Sequence, residues 1–130
     1  MTYPRLFIAG THSGVETTTV SLALMSVLTQ RGRRVQPFRV GSDYLDPSHH
    51  RLATGRMSHN LDGWMLDRGV NRRIFLQAAA EADISLIEGM MGLFDGASPI
   101  NERGSTAEQA KWLGAPVLLV VDGSAMARSV

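Results

Sequence analysis

Apolar runs alternate with amphipathic stretches along this chain, the pattern expected of parallel β/α units. Residues 5–9, Arg5-Leu6-Phe7-Ile8-Ala9, read as a short buried strand, and a helix follows over about 18–31. Val20, Leu22, Leu24, Met25, Val27 and Leu28 supply its apolar positions, and Gly32 supplies a stop. Residues 35–40 form a second strand. Pro37 has no N–H for a ladder, so it places that strand at an edge or ends it early. Asp46-Pro47-Ser48-His49-His50 opens a loop or short helix, since Pro47 suits a first helical turn. Residues 71–82 read as an amphipathic helix with Asn71 as its N-cap. A third strand covers 83–88, and the Gly-rich segment 89–104 reads as a long irregular loop, a kind that often carries function. Ser105-Thr106-Ala107-Glu108 has capping-box spacing, which predicts a helix from there to Leu113. Residues 117–121 are an aliphatic strand of the kind found in sheets covered on both faces. A further helix is expected to begin over 124–130. The fold class is α/β: a mostly parallel sheet with helices on both faces, truncated at its C-terminal end. Residues 1–130 are expected to be the N-terminal part of a longer domain.

A chain of 130 residues, 44% of them hydrophobic, is enough for one domain with a real core. Its net charge of +1 argues against a dedicated nucleic-acid binder. The densest basic run, Arg31-Gly32-Arg33-Arg34, falls at a helix-to-strand corner and reads as solvated. The chain has no cysteine, hence no disulfide framework, thiolate zinc site or cysteine nucleophile. No apolar run approaches the ~20 residues of a membrane span, and no signal pattern opens the chain. The expectation is a soluble cytoplasmic protein with neither nucleic acid nor membrane as partner.

Between the first strand and first helix lies Gly10-Thr11-His12-Ser13-Gly14-Val15-Glu16-Thr17-Thr18-Thr19. This is the setting of a phosphate-binding P-loop, template G-x-x-x-x-G-K-[ST], whose backbone N–H groups and helix N-terminus hold phosphate oxygens. Thr18 stands where the loop hydroxyl meets Mg²⁺. Gly10 is one residue early, and Glu16 and Thr17 replace the template's glycine and lysine. Ligands of open parallel sheets sit beyond the carboxyl ends of the strands. The second strand delivers Asp43 and Asp46 there, and the third delivers Glu88 and then Asp95. Carboxylates arriving from separate strands suit a hard cation that bridges phosphates. Each has a duller reading: a strand-end acid as a helix cap, Asp95 as a turn residue, His49-His50 as solvated or core histidines. Their joint arrival at one rim favours a nucleotide site.

Several segments together resemble the cobyrinic acid a,c-diamide synthase family: residues 10–15, 35–38, Asp43-Tyr44-Leu45-Asp46-Pro47-Ser48-His49-His50 and Asn60-Leu61-Asp62. So do Leu86-Ile87-Glu88-Gly89-Met90-Met91-Gly92-Leu93-Phe94-Asp95-Gly96 and Gly104-Ser105-Thr106-Ala107-Glu108. The resemblance covers essentially the whole chain and roughly the first third of the family's length. It implies a P-loop NTPase-like fold related to dethiobiotin synthetase, and an ATP- and Mg²⁺-dependent ligase of cobalamin biosynthesis. Such enzymes amidate the a and c acetate carboxylates of a corrin, cobyrinate, through an acyl phosphate. Their ammonia comes from glutamine through a C-terminal glutaminase domain with a Cys nucleophile, which this cysteine-free chain lacks. By the same resemblance, Thr18, Asp43 and Glu88 belong to the Mg²⁺ environment. Tyr44, Asp46 and Asp95 belong near the reacting carboxylate, and Gly10, Thr11, His12, Ser13, Gly14, Val15, Thr18, Thr19 and Arg39 near the nucleotide. A homodimer is one assembly left open.

Arg39 stands where the family usually has Lys, and Ser42 where it usually has Pro. Arg39 keeps the charge but changes its shape. The Glu16-Thr17 change is more severe, since it adds a negative charge and removes the lysine that neutralises phosphate. Two like charges ~4 Å apart at an effective dielectric of about 20 repel by roughly 4 kcal/mol. That weakens phosphate binding on the order of a thousandfold. Two alternatives follow: a non-catalytic binding or scaffold module on the same fold, and a related ligase acting on hydrogenobyrinate or nickel-sirohydrochlorin. The match through His49-His50 and residues 88–96 disfavours a ligase acting on a biotin precursor.

Overall fold

Phe7 and Ile8 are neighbours in sequence and both fully buried, yet they enter two different cores. Side chains alternate across a strand, so this requires a sheet covered on both faces. The computed structural model describes residues 2–129 and has that architecture. Its strands are β1 (Arg5–Gly10), β2 (Val35–Val40), β3 (His59–Leu61), β4 (Ile84–Gly92) and β5 (Val117–Val120). Its helices are α1 (Thr17–Gln30), α2 (Leu45–Thr54), α3 (Arg68–Ala79) and α4 (Thr106–Leu113). The strands form one sheet in the order β3-β2-β4-β1-β5, with every pairing parallel.

On one face, Ile8, Val35 and Leu86 pack on Met25 of α1, with Val20, Leu24, Leu28 and Ala53 of α2 around them. On the other, Phe7, Phe38, Val40, Leu61 and Ile87 meet Phe75 and Ala79 of α3 and Ala110 and Leu113 of α4. Val20, Leu24, Met25 and Leu28 pack on this core at the spacing of one helix face, while Val27 is exposed. Gly32 stops α1 as expected. At φ 82° it donates its N–H to Thr29, while Arg33 N–H reaches Leu28 O at 3.0 Å, the paired bonds of a Schellman end.

Several expectations change. Residues 45–50 belong to a full helix. The three-residue β3 pairs with β2 from Phe38 onward, so β2 is internal and runs its whole length to Val40. At Pro37 only β4 lies alongside, which is how the missing N–H is tolerated. Asn71 is not an N-cap. Asp67 caps α3, its carboxylate accepting from Val70 N–H at 2.9 Å, and Asn71 is buried one turn inside. Strand β4 continues past Glu88 through Gly92, so the irregular loop begins later. Strand β5 is the edge of this sheet, with Val117 packed toward one core, Val120 toward the other, and Leu118 and Leu119 exposed. Residues 124–129 form turns instead of a helix, and Val130 lies outside the described residues.

Candidate functional site

The carboxyl ends of β1, β2 and β4 converge on a cavity of about 260 Å³. His12, Ser13, Gly14 and Glu16 line it from the β1–α1 loop, Thr17 and Thr18 from the start of α1, Arg39 from β2, and Glu88, Gly89 and Met91 from β4. Glu88 reaches this rim because β1 and β4 are in register there, Ile8 opposite Glu88. Its side chain is buried and both oxygens are bonded. Thr18 Oγ1 donates to Oε2 at 2.9 Å, and His50 Nε2 lies 2.8 Å from Oε1. Burial works to raise the Glu88 pKa. The His50 hydrogen bond, the Arg39 charge and the Thr18 hydroxyl outweigh it and hold the group below its ordinary value. An ionised carboxylate only accepts, so the His50 proton facing it sits on Nε2. His50 Nδ1 meets Ser58 Oγ at 2.9 Å. His50 is thus a core histidine and His49 an exposed one, as the duller reading had it.

Arg39 is the electrostatic centre of the rim. Its Nε lies 3.2 Å from Asp43 Oδ2, 3.2 Å from Asp46 Oδ2 and 3.7 Å from Glu88 Oε2, and its Nη1 donates to Gly89 O. Three carboxylates face one guanidinium, and the excess negative charge is relieved at Asp46. Burial and the nearby Glu88 charge raise its pKa from 3.8 to about 6. Asp43 moves the other way. Burial opposes ionisation, but the Leu45 N–H, a hydrogen bond with Asp46 and Arg39 prevail and lower its pKa.

The nominated residues do not all share this cavity. His12, Ser13, Gly14, Thr18, Arg39 and Glu88 line it, and Asp43 and Asp46 join through Arg39. Val15 is buried beneath the loop, Gly10 closes β1, Thr11 N–H bonds Val120 O at 3.2 Å, and Thr19 Oγ1 bonds Glu16 at 3.1 Å. Tyr44 is 91% exposed at the start of α2. Asp95 follows β4 in a tight turn, its carboxylate accepting from Gly92 N–H at 2.9 Å. His50 and Met91 fall within the segments that carry the family resemblance but had no role of their own there; the fold sets His50 against Glu88 and Met91 on the cavity wall. Among the described residues, no three His, Asp or Glu side chains are grouped to hold a metal ion on their own. Mg²⁺ bound with phosphates usually keeps its waters and takes only one or two protein ligands.

A five-stranded parallel sheet, helices on both faces and a strand–loop–helix at its carboxyl rim define a P-loop NTPase-like α/β protein. No protein-family model matches the chain. Individual relatives do. It is 53% identical over 127 residues to a cobyrinate a,c-diamide synthase of Leptospira interrogans, covering 98% of this chain and 28% of the relative. It is 54% identical over 130 residues to the cobyrinate a,c-diamide synthase of Syntrophotalea carbinolica, covering 100% and 28%. It is also 50% identical over 127 residues to a hydrogenobyrinate a,c-diamide synthase of Streptomyces coelicolor, covering 98% and 26%. The chain belongs to the cobyrinate a,c-diamide synthase family and spans about 28% of the length of the curated relatives it matches. No helix among the described residues is long and apolar enough to cross a membrane.

Proposed function

We propose that this chain is the nucleotide-binding part of an ATP-dependent ligase that amidates the a and c acetate carboxylates of cobyrinate, with its phosphate loop impaired by Glu16 and Thr17. A carboxylate oxygen attacks the γ-phosphorus, the bond to the β–γ bridging oxygen breaks, and ADP leaves. Ammonia then attacks the acyl carbon, phosphate departs, and the nitrogen loses a proton. Positioning and charge stabilisation carry most of such a phosphoryl transfer.

The observation that carries the reading is the 2.9 Å contact of Thr18 Oγ1 with Glu88 Oε2 on the wall of the loop cavity, with Arg39 beside it. Two hard oxygen donors from α1 and β4 fit Mg²⁺, with Asp43 as the third group of the set. A bound Mg²⁺ would neutralise phosphate oxygens. Arg39 orients Asp43, Asp46 and Glu88, and residues 12–14 cradle phosphate through their backbone. Asp46, with Tyr44 and Asp95, falls to the acceptor side. Ammonia is assigned to a glutaminase domain outside this sequence.

The relative acting on hydrogenobyrinate supports the metal-free macrocycle as an alternative acceptor. The Glu16 side chain in the loop cavity supports a second reading, a binding module that has lost turnover. Nucleotide titration with and without Mg²⁺ distinguishes them, using this chain and the double variant Glu16→Gly, Thr17→Lys. The double variant should bind ATP on the order of a thousandfold more tightly. Equal affinities would remove the claim of impairment, and no binding by either would remove the nucleotide site.

A further inference from the structure

We propose that an apolar groove beside the loop cavity seats the face of the corrin, and that Met91 is a positioning residue on the ridge between the two. This rests on the corrin-acceptor reading above. The groove has a volume of about 310 Å³ and is lined by Gly41, Ser42, Asp62, Trp64, Met65, Met90 and Met91. Met91 lines the loop cavity as well, so the two spaces adjoin across one side chain.

The groove's walls are held in place. Trp64 is 50% and Met65 73% exposed, yet neither is merely a loose surface residue. Asp62 Oδ1 accepts from the N–H of Trp64 at 2.8 Å and of Met65 at 3.2 Å, and its Oδ2 accepts from Ser42 Oγ at 2.9 Å. The Trp64 indole N–H donates to Gly104 O at 3.1 Å. Its ring lies so close to that glycine that a Cβ there would fall 2.7 Å from Cδ1. The Ser42 hydroxyl, the Asp62 carboxylate and the indole N–H are thus all bonded within the protein, and indole and thioether surface is left for a ligand. A rigid aromatic beside adaptable methionines suits a broad apolar partner.

Met91 carries the second observation. Its φ of 50° lies in the left-handed region, which is costly for any residue with a Cβ. It sits where the β1–β4 register slips, Ile8 facing Glu88 but Gly10 facing Gly92. The slip frees the Met90 N–H from the ladder to reach Thr106 Oγ1 at 3.2 Å. Strain of this kind persists where the surrounding structure holds it and gathers at ligand sites. Here it puts a 43% exposed thioether between a phosphate pocket and an apolar groove. A corrin is a conjugated ring whose periphery carries methyl groups together with acetate and propionate carboxylates. Seated in the groove, it brings an edge carboxylate across Met91 to Thr18, Arg39 and Glu88.

The chain has two tryptophans, so in a Trp112→Phe background Trp64 is the sole indole. Cobyrinate titrated into that variant should quench its emission. Met91→Gly removes the side chain while tolerating the positive φ, so it should fold at least as well, which thermal unfolding checks. It should weaken cobyrinate binding about tenfold by calorimetry, as should Trp64→Ala. In the Glu16→Gly, Thr17→Lys background Trp64→Ala, which lies outside the loop cavity, should leave ATP affinity within about twofold. Cobyrinate binding that ignores both substitutions and leaves Trp64 emission unchanged would overturn the groove while sparing the corrin reading. Absence of any cobyrinate binding would overturn both. Concentration-dependent dimerisation abolished by Met65→Lys would make the groove an interface between copies, and would likewise overturn the proposal.

Discussion

Glu16 holds the left-handed conformation at φ 65° and ψ 35°, where the P-loop template has glycine. A side chain there costs about 1–2 kcal/mol, and glycine's greater freedom in the unfolded chain gives back about 0.5–1 kcal/mol of that. Glu16→Gly alone should therefore stabilise the fold by about 0.5 kcal/mol, read from the urea midpoint; a clear loss would contradict the strain argument. Asp46 gives a pH signature. Between 3.8 and about 6 the folded state keeps a proton that the unfolded chain releases, so this group's contribution to stability falls as pH rises through that window. Asp43 and Glu88 have lowered values, so their contributions are present above the ordinary carboxylate range and are lost as pH falls below it. Relative to the unmodified chain, Asp46→Asn should gain on the order of 2 kcal/mol between about pH 4.5 and about pH 7. Denaturant curves at the two pH values measure the difference, and an unchanged difference would remove the raised pKa.

At the scale of elements, α3 is fixed to β3 by one amide. Asn71 is buried, accepts from Asp62 N–H at 2.8 Å, and donates to Asp62 O, Leu66 O and Asp67 O. Asn71→Ala leaves those buried groups unpaired and should cost about 2–3 kcal/mol, seen in thermal unfolding. Helix α4 shows where local signals suffice. Ser105 Oγ accepts from Glu108 N–H at 3.1 Å as the capping box requires, though Glu108 reaches back to Gly104 N–H, one residue earlier than the usual pairing. Ser105→Ala should cost about 1 kcal/mol by the same measurement. Asn71 misled for a related reason. An N-cap needs only local chemistry, and Asp67 and Asn71 both have it, so the choice fell to which one the sheet buried. Strand β3 left no periodicity to read, because three residues are too few to alternate.

At the scale of the whole molecule, β5 is an exposed aliphatic edge. Such an edge presents unpaired backbone to another chain and is a site of association. Leu119→Lys should reduce concentration-dependent light scattering with little change in melting temperature, whereas unchanged scattering would clear β5 of that role. The sequence by itself determined the parallel α/β class, four of the five strands, three helices and the family, because hydrophobic period, glycine stops and long motifs are local along the chain. It also placed Thr18, Asp43, Asp46 and Glu88 at one rim, because parallel strands deliver their carboxyl ends together. Tertiary structure alone decided which of these touch. The strand order set Arg39 among three carboxylates and His50 against Glu88, and the β4 register slip put Met91 between two cavities. Those contacts join residues up to 50 positions apart in β2, α2 and β4, and no local pattern encodes a distance that only packing fixes.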